Sequence, residues 1–177
     1  MPDPDVSRPA GARPALLAAA RAELAEVGVD RLSLRAVARR AGVSHAAPGY
    51  VFGGMTGLLT ALAAEGFDLL ATRLEEAGDI ASSGEAYVGF AASAPELFTL
   101  MFRTALLDAE DPALREAQER AFGRLTARAG AAASPRLLWA LAHGAATLRA
   151  DGQLAPVAGG EDGAVLIVRE LARLLET

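Results

Sequence analysis

Apolar residues at helical spacing are the feature of the sequence that most restricts its fold. The first such run is formed by Leu16, Leu17, Ala20, Leu24 and Val27, and it gives a helix one apolar face. Alanine and leucine, which are good helix formers, supply most of the 52% hydrophobic residues, whereas aromatic residues make up only 5%. Because β-branched residues are also sparse, a sheet would lack its usual side chains. We therefore predict an all-α fold.

Proline, glycine and serine residues divide the first third of the chain into three short helices. The first begins near Pro14, which suits a first helical position because its missing N–H would be unpaired there. Ser33 caps the second helix, Gly42 ends it, and Ser44 caps the third. Three short helices with a tight glycine turn between the last two follow the plan of a helix-turn-helix.

In the remainder of the chain, the sequence pattern predicts six helices, which brings the total to about nine. The first is a long helix over residues 56–77. Its buried side is formed by Leu58, Leu59, Leu62, Leu69, Leu70 and Leu74. Residues 78–84 are either a loop or a poorly formed helix start. Five further helices follow, and Asp111 before Pro112 is a strong start signal among them.

Several classes of site are excluded by composition. The chain has no cysteine, and His45 and His143 lie far apart without acidic residues at metal-ligand spacing, so we expect no metal and no cofactor. No apolar run reaches the roughly 18 residues that a membrane span needs. The first residues lack the apolar stretch of a signal peptide, so we expect no membrane association and a cytoplasmic protein.

Charge is distributed unevenly along the chain. The net charge is −5, but residues 1–53 contain seven arginines and five acids, whereas residues 54–177 contain ten arginines and seventeen acids. A basic first third fits local contact with phosphate groups. Ordinary scatter of surface charge explains the same numbers equally well.

Two stretches resemble a known family. "LSLRAVARRAGVSHAAPGYVF" followed by "GGMTGLL" resembles the DNA-binding head of the TetR-type transcriptional regulators. "FTLMF", together with Trp139 and the pair His143-Gly144, resembles the tryptophan-histidine-glycine type of ligand-binding domain in that family.

The resemblance implies three regions. They are a flexible arm of residues 1–12, a helix-turn-helix DNA-binding domain of residues 13–54, and a ligand-binding and dimerisation domain of residues 55–177.

The candidate DNA-binding residues lie in the second and third helices. They are Ser33, Arg35, Ser44, His45, Ala46, Ala47 and Tyr50. A serine at a helix start and an arginine one turn later can bind the phosphate backbone, and the first residues of the third helix meet base edges. His45 can also be a plain exposed residue, and Arg39 and Arg40 can be solvated side chains without a DNA contact.

Two positions depart from the family pattern. Family members usually carry tyrosine three residues before the equivalent of Phe52 and lysine three residues after it, whereas this chain has Gly49 and Met55. Glycine weakens a helix by roughly 1 kcal/mol, and methionine cannot bind the phosphate that the lysine meets. We predict a weakened DNA reader. The alternative is a protein that kept the regulator fold for binding a ligand or partner and lost its operator.

The candidate ligand-binding residues gather most of the aromatic side chains of the second region. They are Tyr87, Phe98, Met101, Phe102, Trp139, His143 and Thr147. Apolar walls with a few polar groups suit a small-molecule site, although the same residues can form an ordinary helical core. The two terminal helices are apolar over a wide arc, which indicates a second packing partner.

The leading interpretation is a ligand-responsive regulator, and specifically a repressor. It would bind a palindromic operator in double-stranded DNA as a homodimer and be released by a small apolar effector. We expect no enzymatic activity, because the sequence offers no nucleophile with a base, no useful carboxylate pair and no phosphate loop.

Overall fold

The computed structural model describes residues 9–129, 134–154 and 160–175. Within these ranges the chain forms nine α-helices and no strand, which confirms the all-α prediction. The helices are α1 (Pro9–Val27), α2 (Leu34–Arg40), α3 (Ala47–Phe52), α4 (Met55–Glu76), α5 (Ile80–Ser93), α6 (Pro95–Phe102), α7 (Pro112–Ala129), α8 (Pro135–Ala150) and α9 (Gly163–Leu175). None of the helices in the described part is long and apolar enough to cross a bilayer.

The two ends of α2 have the predicted chemistry. The Ser33 hydroxyl accepts a hydrogen bond from the backbone N–H of Ala36 at 3.2 Å, so it caps α2. Gly42 follows the helix with a φ of +68°, a left-handed conformation that favours glycine. Val37 and Ala38 are fully buried, which fixes α2 against α1 and α3.

The beginning of α1 differs from the prediction. The helix starts at Pro9, so residues 9–12 of the expected arm are helical, and residues 1–8 lie outside the described residues. Pro14 therefore occupies the sixth position of the helix and not the first. Its ring sets a φ that a helix accepts, and this close to the start it removes a single backbone hydrogen bond.

The start of α3 is also later than predicted, and the assignment of Ser44 as its cap is wrong. Ala46 is the N-cap residue, and no side chain caps the helix. The N–H of Ala47, which a Ser44 hydroxyl would have bound, donates to the Ser44 carbonyl at 3.0 Å. Pro48 lies at the second helical position and has no N–H that needs a cap.

The centre of the molecule is α4, which packs against α1 and α3 at one end and against α5, α6 and α7 along its length. Leu58, Leu62, Leu70 and Leu74 on this helix are almost completely buried. Leu69 was predicted to be buried too, but it is 40% exposed, because it lines an open surface groove beside Ala25 of α1 and Arg73 of α4.

Two helix starts in the body, which is formed by α4 to α9, are set by acidic caps. Asp79 and Ser82 form a capping box in which the Asp79 carboxylate accepts from the Ser82 N–H at 2.7 Å. Residues 80–84 are therefore the first turns of a well-capped α5. Asp111 accepts from the N–H of Leu114 at 2.9 Å, and this confirms the predicted start of α7.

A glycine sets the distance between α5 and α9. A Cβ atom on Gly84 would lie 2.6 Å from the Cβ of Val168, which is buried in α9. A branched side chain has little freedom to move away from such a contact.

We expect Gly84→Ala to lower the free energy of unfolding by about 1–3 kcal/mol through overpacking. Gly89→Ala is the control in the same helix, because a Cβ there meets nothing within 4 Å. It should stabilise the protein by up to about 1 kcal/mol through helix propensity. Urea unfolding followed by circular dichroism measures both values, and equal effects would contradict the close-packing argument.

Candidate functional site

The predicted DNA-binding residues lie on the surface of the three-helix head. Ser33, Arg35, Ser44, His45 and Ala46 are exposed. Ser44, His45 and Ala46 belong to the turn before α3 and not to its first helical turn. Tyr50 is 90% exposed, while Ala47 is partly buried against the core.

The arginines of the head fall into two groups. Arg40 is engaged within the protein, because its guanidinium donates to Glu23 at 3.0 Å and to Glu26 at 2.7 Å on α1. The hydrogen bond with Arg40 lowers the pKa of Glu26. Arg35 and Arg39 are exposed and make no ion pair with any residue that the structure describes. These two cations are therefore available to phosphate.

A further cation lies beside the junction of α3 and α4. The guanidinium carbon of Arg13 lies 4.8 Å from the centre of the Phe52 ring. A cation over an aromatic face at this distance is attracted by the ring electrons. The arrangement places an exposed positive charge near the end of α3.

Three of the glycines near this junction are required by the turn. Gly53 and Gly54 have φ values of +74° and +129°, which side chains rarely adopt. A Cβ on Gly57 would collide with the carbonyl oxygen of Phe52. These glycines therefore build a tight α3–α4 connection, while Gly49 has open space around it.

Met55 is placed as an apolar contact. It is the first residue of α4 and packs, partly buried, against the hydrophobic core. The position that carries lysine in similar proteins thus contributes packing in this chain and no positive charge.

The body contains a cavity of about 530 Å³ between α4, α5, α6, α7 and α8. It is open to solvent on one side, where the lining residues Phe122, Arg136 and Ala140 are exposed. It is lined by Phe67, Leu70, Tyr87, Met101, Phe102, Thr104, Gln118, Ala121, Phe122, Leu125, Arg136, Trp139 and Ala140. The size and the largely apolar wall are typical of small-molecule sites.

Four of the seven predicted ligand-binding residues line this cavity, namely Tyr87, Met101, Phe102 and Trp139. Phe98 and His143 lie behind the wall. The His143 ring centre is 4.4 Å from that of Phe102 and 5.4 Å from that of Phe98.

Thr147 does not belong to the cavity and is exposed. It lies eight residues beyond Trp139 on α8, which is about 12 Å along the helix and a further 80° around it. The prediction extended the face of Trp139 and His143 by one turn too many.

Tyr87 is the centre of a polar network behind the cavity wall. Its hydroxyl accepts a hydrogen bond from the Trp139 indole N–H at 3.3 Å and lies 3.0 Å from Nδ1 of His143. Since an indole can only donate, the Tyr87 O–H proton is left to donate to Nδ1 of a neutral His143. Burial raises the pKa of Tyr87 and lowers the pKa of His143, and both shifts favour the neutral forms.

Most of the remaining lining residues were missed by sequence reasoning. Phe67 and Leu70 come from α4, and Gln118 and Phe122 come from α7. In the sequence these residues occupy ordinary positions of regular helices, so nothing marks them as cavity residues. A large aromatic residue such as Phe122 in an otherwise polar helix is a weak signal, and nothing local indicates which helices meet.

Two family models match the chain. Residues 16–62 match the model for bacterial regulatory proteins of the tetR family. Residues 80–174 match the model for the tetracyclin repressor-like C-terminal domain. A comparison with curated proteins gives no match.

Solved structures with the same fold include a protein of unknown function from Rhodococcus sp. RHA1. It is 33% identical to this chain with a TM-score of 0.74, and the match covers 92% of each chain. A candidate transcriptional regulator from Streptomyces coelicolor A3(2) is 26% identical with a TM-score of 0.60, over 93% of this chain and 98% of its own. The multidrug binding protein EbrR, complexed with imidazole, is 21% identical with a TM-score of 0.59, over 98% and 96%.

A helix-turn-helix head joined by one long helix to a helical body is the architecture of a class of transcriptional regulators. The chain belongs to the TetR family of bacterial regulatory proteins. The resemblance noted in the sequence is thereby confirmed for both the head and the body.

Tyr87 can be tested against the other tyrosine of the chain. Tyr87→Phe leaves the partly buried Trp139 N–H without its partner, and we expect a loss of about 1–3 kcal/mol in the free energy of unfolding. The same substitution at Tyr50, which is 90% exposed, should change this free energy by less than about 0.5 kcal/mol. Urea unfolding measures both, and a neutral Tyr87→Phe would contradict the network.

Proposed function

We propose that the protein is a homodimeric repressor whose two heads occupy successive major grooves of a palindromic operator. A small molecule in the cavity of each body releases it from the DNA. The observation that carries this proposal is the presence, in one chain, of an exposed helix-turn-helix and a 530 Å³ cavity on the same long helix. Such a regulator acts in the cytoplasm, and we assign it no catalytic role.

Two helices support communication between the cavity and the head. The cavity is lined on one side by α4, whose first residues meet α3 of the head. The second helix, α6, places Met101 and Phe102 in the cavity wall and also packs against α1. Just beyond α6, Arg103 donates to Asp30 of the head at 2.7 Å.

An effector acts only if it binds two body shapes with different affinity. A ligand that displaces Met101 or Phe102 would disturb the packing of α6 on the head as well as the cavity wall. This coupling supports release of the DNA by ligand binding. EbrR, described as a multidrug binding protein, provides a precedent for a small molecule in a similar fold.

The homodimer is supported by the outer surface of α8 and α9. Leu137 and Leu148 on α8 are 49% and 44% exposed, and Leu174 on α9 is 73% exposed. A second copy that packs the same two helices against these would bury them in a two-fold four-helix arrangement. Light scattering at micromolar concentration tests this part, and a stable monomer would overturn it.

The second candidate function is a regulator-fold protein that binds a ligand or partner without an operator. The burial of Met55 against the core and the net charge of −5 favour it. Selection of bound genomic fragments at low salt, followed by mobility shifts with and without ligand, separates the two functions. Retention of a palindromic fragment supports the repressor, and no retention at any salt concentration supports the alternative.

Met55→Lys should strengthen DNA binding and make it more sensitive to salt. One added phosphate contact per subunit, or two per dimer, should steepen the slope of log K against log salt concentration by about 1.8. Thr72→Lys adds the same charge at an exposed site near the other end of α4 and should leave the slope unchanged. Filter binding over a range of salt concentrations measures both, and equal slopes for the two variants would contradict the placement of Met55 at the DNA.

A further inference from the structure

We propose that the cavity selects amphipathic anions, with the apolar part of the ligand among the aromatic side chains and its carboxylate on Arg136. This inference rests on the proposed function of the cavity as the effector site. The effector that we expect is thus a small apolar molecule that also carries a negatively charged head group.

The polar groups of the cavity wall are few, and one of them is already engaged. The Tyr87 hydroxyl is bound by Trp139 and His143, and both of its hydrogen-bonding roles are filled within the protein. Among the described lining residues this leaves Thr104, Gln118 and Arg136 to meet a ligand.

Arg136 differs from the neighbouring arginines because it has no acidic partner among the described residues. On α7, Arg120 pairs with Asp68 and Glu116, and Arg124 pairs with Glu75. Arg136 lies at the start of α8, is exposed, and makes no ion pair within the part of the chain that the structure describes. Its guanidinium is thus an uncompensated positive charge at the edge of an apolar cavity.

The charge of a ligand's head group decides whether Arg136 raises or lowers its affinity. The described lining contains no aspartate or glutamate, so an ammonium group would meet Arg136 without any compensating acid. A carboxylate would accept two parallel N–H···O bonds from the guanidinium, which are stronger than those between neutral groups. A neutral ligand of the same length would gain only the apolar contacts. The order of affinity should be anion, neutral, cation.

The single tryptophan of the chain reports directly on this site. Trp139 lines the cavity, and no other tryptophan contributes to the emission. Decanoate, decanol and decylammonium share one apolar chain and differ in the head group. Titration of the full-length protein with each, below the concentration at which micelles form, gives three dissociation constants from Trp139 fluorescence.

We expect decanoate to bind at least tenfold more tightly than decanol, and decylammonium to bind more weakly than either. Arg136→Gln should raise the dissociation constant of decanoate to that of decanol while leaving decanol unchanged. Arg136→Lys keeps the charge and should retain most of the preference. Arg115→Gln removes an exposed arginine that does not line the cavity and should alter none of the three constants.

The outcomes separate the inference from the function on which it rests. Equal binding of decanoate and decanol would overturn the role of Arg136 and leave the cavity as a neutral-ligand site. A decanoate preference that survives Arg136→Gln would also overturn the role of Arg136, because another group would then select the anion. If none of the three probes changes Trp139 emission while circular dichroism shows a folded protein, the effector cavity itself is wrong.

Discussion

The burial of α4 is the interaction on which the rest of the structure depends. Its leucines belong to one continuous hydrophobic core, in which Leu58 and Leu62 lie near the head and Leu70 and Leu74 lie in the body. Burial of each such side chain contributes about 1.5–3 kcal/mol. Because α4 packs against helices of both the head and the body, it holds the head and the cavity to one common element.

Glycines on α4 set how closely its neighbours approach. Gly57 leaves room for the Phe52 carbonyl, and Gly66 leaves room for Met101, whose sulfur would lie 2.7 Å from an added Cβ. Gly53 and Gly54 follow Phe52, which is the last residue of α3. In the structure they form the tight turn that connects that helix to α4. Met101, which packs closely against Gly66, also lines the cavity.

Local signals in the sequence predicted those parts of the fold that depend on nearby residues. The cap of α2 at Ser33 and the start of α7 at Asp111 need only three or four neighbours, and both were found. The start of α3 and the exposure of Leu69 depend on how elements turn and pack, so local rules failed there. Some of the residues that line the cavity were among those predicted, since Trp139 and its aromatic neighbours are visible in the sequence. Its α4 and α7 walls result from long-range packing.

The net charge of the chain is a poor guide to its interaction with DNA, because most arginines of the body are neutralised by nearby acids. Arg120, Arg149 and Arg169 each pair with a carboxylate, whereas Arg35 and Arg39 in the head make no ion pair within the described ranges. At physiological ionic strength, charges are screened over about 8 Å, so a distant acidic body does little to repel a phosphate that meets the head. For DNA binding, the arginines of the head without an ion pair in the described ranges therefore matter more than the net charge of the chain. By the same reasoning, Arg136, which makes no ion pair within the described ranges, is the charge that the proposed ligand selection depends on.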